Sequence, residues 1–393
     1  MIKLVLSVFF VIHGYIGLER ELLVNEAFSF AGILLAAGYF LNRRGLVSKL
    51  ELSWLLLFLY GLLSFVFFGL IGNSEANLYS QLRTLPVWYS MGCFFFGFYI
   101  VSGEDLNFKG SRFFIVASMF LGGKLSPPAM LAVCSAFKLG GDFRRQLVLL
   151  ASFIIIMSTF KYMLGNHDGT TTVFLFLTFL FFVYLFDKRF FSWMRGNGVY
   201  NCAALGFFLF VLFLNWVYLD FSDFYYVGFE YFGDGVDVNS LWRLMFWAKA
   251  VGDLQGLENF FGIGLGTPLF DAHSLTSSFI NASEGGVEDR SYVLGLHNSF
   301  LTVLVRLGPV YLFLVFYILR SILKDLSAIG TYASKLLLIA NVLMCIAACF
   351  NVVLESSLYA GFFWALLGVS YRYIMEFKLS SVHSSSYEKV GVK

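Results

Sequence analysis

Apolar runs long enough to cross a bilayer recur along this 393-residue chain, near 4–18, 27–41, 52–72, 85–102, 146–163, 169–186, 199–219, 297–319, 336–352 and 357–375. A helical span needs roughly 20 predominantly apolar residues, because its backbone must satisfy its own polar groups once water is gone. Composition agrees: 59% of the residues are hydrophobic, 20% aromatic and only 13% charged, and the mean hydropathy is +0.78. A soluble globular fold carries about 25% charged residues. A soluble enzyme, a disordered chain and a disulfide scaffold are thereby excluded. The predicted fold class is an all-α polytopic membrane protein.

The stretch 113–138 holds Gly122, Gly123, Lys124 and the pair Pro127-Pro128, which break a helix. Basic residues mark the cytoplasmic side of short loops. They fall at Arg43, Arg44 and Lys49; at Lys138, Arg144 and Arg145; at Lys188, Arg189 and Arg195; at Arg320, Lys324 and Lys335; and after Tyr371 at Arg372, Lys378, Lys389 and Lys393. Keeping these loops on one side requires two short segments, 113–122 and 126–138, instead of one crossing. The expectation is about twelve segments, one pair short and broken, with both ends cytoplasmic. Lys3 ahead of the first apolar run resembles a signal peptide, but without a small-residue cleavage site it reads as an uncleaved first span. The organisation expected is 1–219 for segments 1–9, 220–296 for a large periplasmic loop, 297–376 for segments 10–12, and 377–393 for a cytoplasmic tail.

The loop 220–296 carries eleven acidic side chains against three basic ones, Arg243, Lys249 and Arg290, so its net charge of −8 leaves the rest of the chain near +10. Within it, 241–251 has apolar residues at helical spacing, interrupted by Arg243 and Lys249, with Ser240 placed to cap its start. This reads as an amphipathic helix lying against the membrane surface or the bundle. Arg243 is open to two readings, interfacial snorkelling or a guanidinium fork for phosphate oxygens. The survival of so few cations in so acidic a loop favours an anionic substrate.

Two further features follow. Gly262-Ile263-Gly264-Leu265-Gly266-Thr267-Pro268 lacks dinucleotide-site spacing and reads as a tight loop whose backbone approaches helices or a ligand closely. His297-Asn298 sits where the loop re-enters the membrane, ahead of an apolar helix containing Arg306 and Gly308. A histidine at this depth is costly unless it has a partner or a task. Of the other histidines, His13 lies in the first span, His383 in a Ser-rich tail, His273 lacks companions, and His167 sits beside Asp168 at an outer turn. The five cysteines lie in apolar runs without metal-ligand spacing, and packing accounts for them.

The stretch from Arg243 to Phe316 resembles the O-antigen polymerase and O-antigen ligase superfamily of membrane glycosyltransferases. The resemblance is carried by an arginine on an amphipathic loop helix (Arg243), a Gly-x-Gly-x-Gly turn over 262–266, and, about thirty residues on, His-Asn followed by nine residues and Gly (His297, Asn298, Gly308). The twelve-segment layout with cytoplasmic ends is similar as well. The ligase branch continues with a second glycine where this chain has Pro309-Val310-Tyr311. That branch also tends to carry an upstream arginine where this chain has His167-Asp168-Gly169, with Lys161 nearby. These departures lean towards the polymerase branch.

The resemblance implies an undecaprenyl-pyrophosphate-linked glycan as donor and a lipid-linked repeat unit as acceptor, at the periplasmic face of a bacterial inner membrane. Arg243, and after it Arg290, would stabilise the departing pyrophosphate. His297 would orient or deprotonate the acceptor hydroxyl, or bond the pyrophosphate. Asn298, Lys249, Gly264, Gly266, His167 and Lys161 would line the substrate site. No acidic pair has metal-ligand spacing, so transfer is expected to need neither metal nor cofactor. The partners implied are the lipid-linked oligosaccharide, membrane lipid and a chain-length regulator, with no nucleic acid. The alternatives are a ligase transferring the glycan to lipid A-core and, in another class, a lipid-linked glycan flippase. A flippase would show internal repeats and mid-membrane charges.

Overall fold

A computed structural model describes residues 22–42, 45–67, 84–100, 143–163, 170–220, 238–267, 269–271, 292–293 and 296–390. The expected first span at 4–18 and the broken pair over 113–138 lie outside the described residues.

The described chain is helical. In order come α1 (Leu22–Asn42), α2 (Lys49–Ser64), α3 (Pro86–Tyr89), α4 (Cys93–Ile100), α5 (Phe143–Met163), α6 (Thr170–Arg195) and α7 (Gly198–Asp220). There follow α8 (Val238–Gly252), α9 (Glu258–Phe261), α10 (Ser299–Ile329), α11 (Tyr332–Phe350) and α12 (Ser357–Val390). A two-residue antiparallel pairing, Phe270–Asp271 with Tyr292–Val293, is the strand structure among the described residues.

Four helices are long and apolar enough to cross a membrane, over Lys49–Phe67, Gly198–Leu219, Ser299–Ile329 and Tyr332–Phe350. Their surfaces fit that role. Helix α7 buries Leu214 and Val217 while exposing Leu205, Phe208, Leu212, Trp216 and Leu219. Such a ring of bare apolar side chains suits hydrocarbon and not water.

Helix boundaries follow local chemistry. Ser48 caps α2: its hydroxyl accepts from the Glu51 N–H at 3.2 Å, and the Glu51 carboxylate accepts from the Ser48 N–H at 2.7 Å. Together they satisfy two end donors that would otherwise be orphaned. Gly330, with φ of 68°, ends α10, and Thr331 caps α11 by accepting from the Ser334 N–H.

Several boundaries differ from the sequence reading. Helix α8 begins at Val238, so Ser240 lies inside the first turn and is not its cap. The run 85–102 is not one helix but α3, a tight 3-10 turn over Ser90–Gly92, and α4. Helix α12 continues past residue 377 through the serine-rich stretch to Val390. Serine disfavours helix interiors only mildly, so an established helix runs through it.

The chain forms two compact units. The first comprises residues 1–47, 89–197 and 319–393. Its centre is α1, α4 and α12 in close backbone approach. A Cβ at Gly97 would meet the Ala365 carbonyl, and one at Gly368 would meet the Phe94 carbonyl. Small residues allow helices to pack this closely where no hydrophobic effect drives them together. Aromatic rings fill the surrounding space: Tyr39 lies 5.2 Å from Phe95 between ring centres, and Tyr371 lies 5.8 Å from Phe98. Buried Asn341 of α11 donates to the Ser370 hydroxyl of α12 at 2.9 Å and to the Leu337 carbonyl at 2.7 Å.

The second unit comprises residues 48–88 and 198–318. It is built on α2, α7, α8 and the first part of α10. Leu214 and Val217 of α7, Met245, Phe246, Ala248 and Val251 of α8, and Leu296, Leu301 and Val305 form its core.

Gly368→Leu is expected to destabilise the folded protein by about 3 kcal/mol through overpacking against backbone. Leu34→Ala, at a side chain 74% exposed, is expected to change stability little. Thermal unfolding of both variants in detergent checks the contrast.

Candidate functional site

The second unit brings the glycine loop, α8 and the His297-Asn298 turn together around a break in α10. That break comes from two adjacent residues. Gly308 leaves the helix with φ 77° and ψ 173°, and Pro309 follows it. Proline has no N–H to offer the carbonyl four residues back, which here belongs to Val305. That carbonyl is claimed instead by the Ile263 N–H at 2.9 Å, and the next one, of Arg306, by the Gly264 N–H, also at 2.9 Å. The glycine loop thus pairs with the opened edge of α10 as one strand pairs with another.

This pairing explains the glycine spacing. Gly262, Gly264 and Gly266 have φ of 71°, 90° and 93°, a region that side chains rarely tolerate. The approach is also tight, since a Cβ at Gly262 would meet the Arg306 backbone and one at Gly308 the Phe260 carbonyl. Arg306 is fully buried, and its guanidinium donates to the Thr267 carbonyl at 2.7 Å and to the Gly264 carbonyl at 3.4 Å. The Gly266 N–H donates to the Thr84 hydroxyl at 2.8 Å. Hydrogen bonds from both sides therefore fix the loop.

The start of α10 is equally constrained. Asn298 caps it, its side-chain oxygen accepting from the Leu301 N–H at 3.1 Å and its carbonyl from the Thr302 N–H at 2.9 Å. His297, immediately before the cap, is half-buried and has φ of 51°, the left-handed conformation. For a residue other than glycine this costs about 1 kcal/mol or more, and it persists only where neighbours over-determine it. Two neighbours do so: Asn298 is pinned to the helix start, and the Leu296 carbonyl accepts from the Trp247 indole N–H.

Trp247 belongs to α8, and Arg243 precedes it by four residues, one turn along the same face. The indole bond thus ties the helix that carries Arg243 to the backbone that presents His297. Lys249, on the same helix, pairs with Asp253 at 2.9 Å, and Asp253 also accepts from the Tyr218 hydroxyl at 2.9 Å.

Of the residues singled out in the sequence, His297, Asn298, Arg243, Gly264 and Gly266 gather in this unit with Lys249. Arg290 and His167 lie outside the described residues. Lys161 sits near the end of α5, in the other unit. The sequence reading missed the indole bond of Trp247 and the carbonyl clamp of Arg306. The signal for the second was present, because Gly-Pro inside an apolar helix announces freed carbonyls that need donors. Among the described residues no group of three or more His, Cys, Asp or Glu side chains is placed to hold a metal ion.

No family model matches the chain, and comparison with curated proteins finds no match.

Strain at His297 is open to a stability test. His297→Asn, a residue that tolerates the left-handed region, is expected to hold or raise stability by up to about 1 kcal/mol. His297→Val, β-branched and intolerant of positive φ, is expected to lower it. Equal melting temperatures for the two variants in detergent would show that the turn stores no strain.

Proposed function

We propose that this chain is a membrane glycosyltransferase that joins sugar units carried on polyprenyl pyrophosphate, with the activity of an O-antigen or related polysaccharide polymerase. The observation that supports this most is the tie between α8 and the turn before α10. Through Trp247, the helix bearing Arg243 is fastened to the strained backbone bearing His297. Strained turns of this kind cluster at functional sites.

In this reading the chain spans a bacterial inner membrane about twelve times with both ends cytoplasmic. The 220–296 loop and the site face the periplasm. The donor is the growing glycan on undecaprenyl pyrophosphate, and the acceptor is a sugar hydroxyl of a lipid-linked repeat unit. The anomeric C–O bond to pyrophosphate breaks, and that oxygen leaves with the electron pair. The acceptor oxygen forms the new glycosidic bond and gives up its proton.

Each residue has a share in that step. The Arg243 guanidinium offers a planar fork of donors that matches pyrophosphate oxygens as their charge grows. Arg290 supports it. His297 orients the acceptor hydroxyl or takes its proton, help worth about 10²–10⁴-fold. The start of α10 adds the positive end of a helix dipole beside His297. Lys249, paired with Asp253, enters the substrate site less directly than Arg243. Asn298, as the cap of α10, and Gly264 and Gly266, through their backbone, shape the substrate site. His167 and Lys161 are assigned to the substrate path by resemblance, and a chain-length regulator is the expected protein partner. No metal or cofactor takes part.

The test is complementation of a deletion strain. His297→Ala and Arg243→Ala should each abolish long-chain glycan, a loss of at least about 100-fold, at normal protein levels in the membrane. Translocated single-repeat lipid should accumulate. Wild-type ladders from both variants would end the proposal, accumulation of polymerised lipid-linked glycan would mark a ligase, and accumulation on the cytoplasmic face would mark a flippase.

A further inference from the structure

At one end of the first unit, two cationic side chains meet on a single turn, and a third extends from that turn to the same helix. The turn is 195–197, between α6 and α7. Asn197 carries a neutral amide, and its side-chain oxygen accepts from Arg320 at 2.9 Å and from Lys324 at 3.0 Å. Arg195, two residues earlier, donates from its Nε to the Ser327 carbonyl at 2.9 Å. Arg320 and Lys324 are four residues apart on α10, where like charges repel. The nearby carboxylates serve other partners: Asp325 takes Lys378 at 2.7 Å, and Asp187 takes Arg144 at 3.6 Å. Among the described residues, no carboxylate pairs with Arg195, Arg320 or Lys324.

Two like charges held on one neutral oxygen gain little from it. An anion placed between them would gain from both. The position says which anion. Arg320 and Lys324 lie in the last turns of an apolar span, and Asn197 directly precedes another, over Gly198–Leu219. Trp193 beside the turn is 57% exposed, an arrangement typical of rings at the headgroup level.

We infer that Arg195, Arg320 and Lys324 bind the phosphate headgroup of an anionic phospholipid where α6 meets α7. Arg320 supplies a donor fork, Lys324 a point charge, and Asn197 holds both aimed at the same place. The site is independent of the proposed transferase activity and carries no assigned residue of it.

The experiment uses the full-length protein, delipidated in detergent, with phosphatidylglycerol, phosphatidylcholine or inorganic phosphate added separately. Bound lipid is counted by native mass spectrometry, and melting temperature is followed in parallel. The expected result is retention of phosphatidylglycerol and a rise in melting temperature with that lipid alone. The double variant Arg320→Gln with Lys324→Gln should bind it roughly 30-fold more weakly, from about one cation's worth of surface attraction lost at each position. Asn197→Asp supplies an internal counter-charge without disturbing packing and should weaken binding too. Equal binding of phosphatidylcholine, an equal effect of inorganic phosphate, or unaltered lipid binding in both the double variant and Asn197→Asp would each overturn the assignment.

Discussion

The second unit depends on two carbonyls. Where Gly308 and Pro309 break α10, Val305 and Arg306 lose the donors a continuous helix would give them, and a lone backbone carbonyl in hydrocarbon costs several kcal/mol. The N–H groups of Ile263 and Gly264 meet this need. From that pairing follow the left-handed glycines, the burial of Arg306 beneath the loop, and the short first half of α10. His297 and Asn298 stand at the start of that half. The break therefore supplies both the loop and the short helix with their reason to exist.

A second constraint sets the orientation of the amphipathic helix α8. The face of α8 that carries Met245, Phe246, Ala248 and Val251 is committed to the core with α7 and the start of α10. The Trp247 indole then fixes its azimuth through one bond to Leu296. Arg243 inherits its position from these contacts. This is how a long, acidic connecting segment can hold a cation in a reproducible place.

Much of this was legible in the sequence because it rests on local signals. Apolar runs gave the positions of the candidate spans at α2, α7, α10 and α11 and of the shorter apolar helix α1. Helical spacing gave α8, and the glycine spacing gave a tight loop near a helix. What was not legible is tertiary. Ser240 looked like a cap because its residue type suits one, yet α8 begins three residues earlier than such a cap would start it, at Val238. The 85–102 run reads as an unbroken span, but the close approach of Gly97 to the Ala365 carbonyl and of Gly368 to the Phe94 carbonyl is a property of two packed helices at once. Gly308 was seen as a motif residue, whereas its physical role is to end a helix beside Pro309. The strain at His297 has no sequence signature, since histidine visits the left-handed region only where its surroundings force it.

The pairing across α10 also bears on the order of assembly. The donors at Ile263 and Gly264 are synthesised 42 residues before their acceptors. They leave the ribosome with nothing to bind and must wait for α10 to be made. Until the glycine loop docks, the emerging helix carries two uncompensated carbonyls. Insertion of α10 and closure of the loop are therefore linked steps of biogenesis, and the histidine turn cannot take its final shape before both are complete.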